Sequence, residues 1–101
     1  MIRVNVGENS LEVEGHANFA AFGSDIVCAG VSALIGGLYI ALQEENIEHT
    51  YKEGNGYVKF EINEEKGLSY MQLVVYGLHN IAMQFDEYIE IHKVESFLGE
   101  P

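Results

Sequence analysis

Basic residues are scarce in this chain of 101 residues: five Lys and Arg stand against 16 Asp and Glu, a formal net charge of -11. A surface of that sign repels phosphate backbones, so nucleic acid is excluded as a direct partner. The excess acid serves solubility, or it attracts a basic peptide or protein. Cysteine is nearly absent too, with Cys28 alone. One cysteine makes no internal disulfide, which fits a reducing compartment, and a cytoplasmic location is expected. Long apolar runs are lacking. The start, Met1 to Val6, alternates instead of forming the apolar stretch of a signal peptide. The region from Ile26 to Leu42 is interrupted by Ser32, Gly36 and Gly37 and is short for a bilayer, so no membrane partner is expected. The candidate ligands His16, Cys28, His49, His79 and His92 have no useful metal-binding spacing, and neither a metal nor another cofactor is expected. Repeats, linkers and low-complexity segments are missing as well. The length then allows one domain, taken as residues 1–95, with 96–101 as a C-terminal tail.

What is present is a clear alternation of periods. Ile2, Val4 and Val6 alternate with Arg3 and Asn5, and Leu11 and Val13 with Glu12 and Glu14, around the turn chemistry of Gly7-Glu8-Asn9-Ser10. This predicts a hairpin. From Ile26, the residues Val27, Val31, Leu34, Ile35, Leu38 and Leu42 recur at helical spacing, predicting a helix capped by Ser24 or Asp25 and running to about Glu44. Ala29, Ala33 and Gly37, four apart, leave another face of that helix open to close approach. Strands are predicted over Asn46 to Glu53 and Tyr57 to Asn63, joined at Gly54-Asn55-Gly56. A second helix is predicted from Leu68 to about Glu87, where Met71, Val74, Val75, Leu78, Ile81, Ala82 and Phe85 hold its period. Ile89, Ile91 and Val94 predict a short last strand. The order ββαββαβ implies an α+β fold, two helices on one face of a mostly antiparallel sheet.

Two residue types able to do covalent chemistry flank one loop. With Asp25 as cap, Cys28 falls in the first helical turn, where unpaired N–H groups and the helix dipole favour a thiolate. The same N–H groups are suited to receive the oxyanion of a tetrahedral intermediate. His16, just past the second strand, is placed on the rim and is of the right type to act as the base. Asp25, three residues before Cys28, and Ser32, four after it, lie near the sulfur on the helical lattice and are candidates to orient the imidazole or bond the thiol. Between the pair, Gly15 and Gly23 bracket a segment carrying Phe19 and Phe22, either core side chains or part of a lid over an apolar substrate. A lone cysteine on an apolar helix is equally readable as a small core residue, and Asp25 and Ser32 as a cap and a hydroxyl bonded within its own helix.

Gly15-His16-Ala17, then Gly23, then the block Asp25-Ile26-Val27-Cys28-Ala29-Gly30-Val31-Ser32-Ala33-Leu34 resembles the signature of the ribosomal-processing cysteine protease family, Prp. The resemblance implies a cysteine endopeptidase with Cys28 as nucleophile and His16 as base, with Asp25 and Ser32 at other motif positions. It further implies a homodimer and a loop, here bearing Phe19, Phe22 and Gly23, that orders over substrate. The implied substrate is the precursor of bacterial large-subunit ribosomal protein twenty-seven, whose N-terminal extension, rich in leucine and phenylalanine, is removed ahead of a basic segment. The alternative is a dimeric module that binds a basic ribosomal or other protein segment without cutting it.

Overall fold

In the computed structural model the described residues are 1–15 and 22–93; for residues 22–25 the backbone alone is described. Residues 16–21 and 94–101, which include Val94 of the expected last strand and the expected tail 96–101, lie outside them. Strands β1 (Ile2–Val6) and β2 (Ser10–Gly15) are followed by helix α1 (Phe22–Glu44). Strands β3 (His49–Gly54) and β4 (Tyr57–Ile62), helix α2 (Leu68–Gln84) and strand β5 (Ile89–Lys93) complete the order ββαββαβ. One sheet holds all five strands in the order β3-β4-β2-β1-β5. Every neighbouring pair is antiparallel except β1 with β5, which is parallel. That exception follows from connectivity, since α2 carries the chain from one end of the sheet to the other.

The period-2 alternation sets the two faces. Val4 stands opposite Val13 and Ile91, and Leu11 opposite Phe60, so their side chains share one face. Against them α1 buries Val27, Val31, Leu38 and Leu42, and α2 buries Met71, Val74, Val75 and Leu78 in the same cluster. The other face is polar. There the Tyr57 hydroxyl donates to Glu12 Oε2 at 2.7 Å and the Asn5 amide to Glu12 Oε1 at 3.0 Å. These two bonds hold the Glu12 carboxyl below the usual carboxylate range. The hydrogen bond from His92, with one from Arg3, does the same for Glu90.

Several expectations of the sequence reading are corrected here. Strand β3 begins at His49 and not at Asn46, because the turn that caps α1 after Glu44 takes up the residues between. The Ile47 N–H donates to the Leu42 carbonyl (3.0 Å) and the Asn46 N–H to that of Gln43 (3.2 Å), with Asn46 in the left-handed region at φ 54. This is a Schellman motif closed by two buried side chains, Leu42 and Ile47. Helix α2 stops at Gln84, with Phe85 beyond it at φ -135. Finally, Ile26–Glu44, 19 residues, is by length and composition long and apolar enough to cross a membrane, against the expectation drawn from its interruptions. In the fold one side of it is buried on the sheet.

The two helices pack closely because each offers a glycine to the other. A Cβ on Gly30 would sit 3.1 Å from Ile81 Cδ1, and one on Gly77 would sit 2.8 Å from Leu34 Cδ2. Gly36 and Gly37, in contrast, face open space.

Candidate active site

Strand β2 is the middle strand of five, and its last residue is Gly15. Gly15 pairs with Ile2 across β1 and donates its N–H to the Gly56 carbonyl at 2.9 Å. Its φ of 97 is a conformation that side chains rarely adopt, and a Cβ there would strike the Met1 carbonyl oxygen. The chain therefore leaves the sheet at a fixed rim point between the start of β1 and the β3–β4 turn. His16 follows directly; its own placement, like that of Phe19, lies outside the described residues.

Helix α1 enters over this rim, with Val27 buried in the core that also takes Ile2 and Val13. It starts at Phe22, which corrects the expected start after Ser24 or Asp25. Phe22 and Gly23, expected in the loop, belong to its first turn, and so do Ser24 and Asp25. An acidic residue is favoured by the helix dipole in the first turn as well as at the cap, so the Ser-Asp pair signals a helix start without fixing its register.

The consequence falls on Cys28. It is the seventh residue of α1, in the second turn. Its N–H belongs to the helical ladder and is not one of the four free donors, and the dipole acts mainly within the first turn. The expected first-turn placement is thus corrected, and with it the argument that the dipole and neighbouring free N–H groups activate this sulfur. What remains is access. Cys28 is an exposed free thiol, not a core residue. Ser32, one turn further, is also exposed.

Cys28, Ser32, Ile35 and Tyr39, at spacings of four, three and four, occupy one flank of α1. The flank is located by an aromatic contact: the Tyr39 ring lies 4.8 Å from that of Tyr51 on β3, tilted by 55°, and Tyr51 lies 5.0 Å from Phe60. Cys28 therefore looks away from α2, toward the β3 side of the sheet. Burial, then a hydrogen bond donated to Glu53 at 2.7 Å, push the Tyr51 hydroxyl up to about 12. The sequence reading placed Tyr51 on a strand and Tyr39 in a helix without joining them; the shared spacing with Cys28 was the available signal.

No cluster of three or more metal-ligating side chains occurs among the described residues. His49, the described histidine nearest in sequence to this flank, sits at the start of β3 with Nδ1 2.6 Å from the Ile47 carbonyl. His79 and His92 lie on α2 and β5.

Comparison with known proteins adds the family. The Ribosomal processing cysteine protease Prp of Mycoplasma genitalium is 44% identical over 50 residues, half of each chain. That of Staphylococcus aureus is 28% identical over 86 residues, 79% of this chain and 81% of its own. A crystal structure of the essential ribosomal processing protease Prp from S. aureus in complex with a substrate peptide superposes with a TM-score of 0.83. It does so at 22% identity, over 93% of this chain and all of that one, and so shares the fold. The family profile described as Cysteine protease Prp matches residues 1–90, and the chain belongs to that family of cysteine proteases.

Proposed function

We propose that the protein is a cysteine endopeptidase that removes the N-terminal extension of bacterial large-subunit ribosomal protein twenty-seven. The observation that carries this reading is the exposed thiol of Cys28 in a chain matched by the protease family over residues 1–90. The relatives named above are ribosomal processing proteases, and the S. aureus structure holds a substrate peptide.

Cys28 is the nucleophile and His16 the base. His16 takes the thiol proton, and the sulfur attacks the scissile carbonyl carbon, giving a tetrahedral oxyanion. The C–N bond breaks as the imidazolium returns its proton to the leaving amine, leaving a thioester. Water, deprotonated by His16, then releases the new carboxylate and the free thiol. Asp25 and Ser32 are positioning residues for this pair, and Phe19, Phe22 and Gly23 belong to the segment that contacts substrate. No cofactor enters any step. The enzyme works in the cytoplasm, where its single cysteine stays reduced.

The working unit is a homodimer joined through the helices. No charged residue occurs from Ile26 to Gln43 or from Leu68 to Phe85, although the chain carries 16 acidic side chains. On the outward side, Ile40, Leu73, Tyr76 and Met83 are 59%, 69%, 59% and 83% exposed. Leu73 and Tyr70 border a groove floored by Ala33 and Gly37 of α1. Large residues on one helix beside small ones on the other make the face self-complementary, as a two-fold interface requires. Two helices side by side offer a face of about 25 by 20 Å for this contact.

The decisive experiment incubates the precursor's extension peptide with the wild-type protein and with Cys28→Ala, followed by mass spectrometry. Two fragments from the wild type alone are expected. An intact peptide in both, or equal cleavage by both, overturns the assignment.

A further inference from the structure

Strand β3 is an edge of the sheet, and among the described residues no other strand pairs with its outer side. Edge strands in soluble proteins are commonly blunted by a bulge, a proline or a covering segment. Strand β3 pairs residue for residue with β4 from His49 opposite Ile62 to Gly54 opposite Tyr57, so it has no bulge, and it contains no proline. Its lysine, Lys52, stands opposite Lys59 on the polar face of the sheet, away from the helices. Among the described residues, the outward N–H and C=O groups at alternate positions of this six-residue strand are thus open to pairing.

This edge lies under the flank of α1 that carries the thiol. Tyr39 touches Tyr51, and Cys28 and Ser32 occupy the same flank as Tyr39. The Schellman turn at Asn46 reverses the chain, so β3 runs back toward the end of α1 where Cys28 sits. There the β3–β4 turn is bonded to Gly15 through the Gly56 carbonyl. The stretch from Cys28 to Tyr39 rises about 16 Å along the helix, and the part of β3 from Tyr51, beneath Tyr39, to Gly54 spans about 10 Å, so Cys28 lies just past the end of the strand, on the side of the β3–β4 turn. The outer edge of β3, unpaired among the described residues, and the α1 flank thus run side by side. Cys28 stands at one end and Glu44, Glu45 and Glu48 lie on the connection at the other.

The geometry points to substrate binding by strand addition: an extended segment of the protein substrate joins the sheet along β3, beneath Tyr39 and Ser32, and delivers its scissile bond to Cys28. This deepens the protease reading and rests on it. Backbone pairing gives affinity that is largely independent of sequence, while side chains at alternate positions face the helix and supply selectivity. Apolar or aromatic side chains suit the positions that face Ile35 and Tyr39. A basic residue suits the end at Glu44, Glu45 and Glu48, and an acidic one is repelled there.

The test uses one synthetic peptide, the extension plus the basic segment that follows it. Cleavage by the wild-type protein is measured first, and amide hydrogen exchange of full-length Cys28→Ala is then followed with and without saturating peptide. Expected is slower exchange in β3, by about tenfold, the scale of one backbone hydrogen bond, with β5 unchanged. Methylating alternate backbone nitrogens of the peptide should weaken binding by a similar factor when the methylated edge faces β3, and little when it faces away. Cleavage by the wild type without protection of β3 in the complex overturns strand addition and leaves the protease reading intact. Failure of the wild type to cut the peptide overturns both.

Discussion

At the scale of single residues the site depends on how one sulfur and one glycine are held. Cys28, the proposed nucleophile, is exposed on the second turn of α1, so in the proposed reaction its activation comes from a neighbouring base and not from the helix terminus. Replacing it with alanine is expected to abolish turnover, by about 10³-fold or more. Because the side chain is on the surface, stability should move by no more than about 0.5 kcal/mol. Urea unfolding beside a peptide-cleavage assay checks both halves. Gly15 acts by a different route. Alanine there keeps a φ of 97 only with strain of about 1–2 kcal/mol, and its Cβ meets the Met1 carbonyl oxygen. Gly15→Ala should therefore lower stability by about 2 kcal/mol or more. It should also cost activity in the fraction that remains folded, because His16, the proposed base, follows this residue in the chain. An active, fully stable Gly15→Ala protein would show that the rim point is not fixed as described.

At the scale of elements, the ends of the helices place everything else. The Schellman turn at Asn46 turns the chain into β3, and the connection after β4 brings it onto α2. Gly67, at the start of α2, is buried, and a Cβ there would lie 2.7 Å from Ile47 Cγ2 and 2.8 Å from Ile62 Cγ2. Both isoleucines are fully buried and stiff at that branch. Gly67→Ala should cost about 1–3 kcal/mol by overpacking. Gly77→Ala should cost less, because the atoms it meets are the terminal methyls of a half-buried Leu34. Thermal melts of the two variants should rank them in that order.

At the scale of the whole molecule, two faces set the solution behaviour. On the helix face, uncharged and lined by Leu73 and Met83, self-association is expected. Light scattering should give twice 11.2 kDa for the wild type and about half that for Leu73→Glu. A wild-type mass of one chain would reject the helical interface. On the β3 side, burial in the Tyr39–Tyr51–Phe60 stack raises the Tyr51 hydroxyl from 10.0 to about 12. A raised value means that the folded chain keeps a proton which the unfolded chain gives up. This contribution to stability is complete below pH 10 and is lost as pH rises toward 12. Unfolding midpoints measured across that window should fall more steeply for the wild type than for Tyr51→Phe. A difference spectrum of the two should show Tyr51 ionising near pH 12.

The alternating and helical periods determined the element order, the α+β class and the inward face of every strand, because those depend on which side chains water rejects, and that is written locally. Gly15 and Cys28 were legible as a strand end and a helix residue by the same logic, and the resemblance to Prp singled them out together with His16. Tertiary structure alone decided the rest. The register of the helix start is settled by how α1 packs on the sheet. The parallel pairing of β5 with β1 is settled by the path of α2. The placement of the Cys28 flank on the side of β3, an edge strand among the described residues, rests on the contact of Tyr39 with Tyr51, twelve residues apart and brought together by a turn at Asn46. Each of these follows from contacts between elements, which local periodicity does not encode.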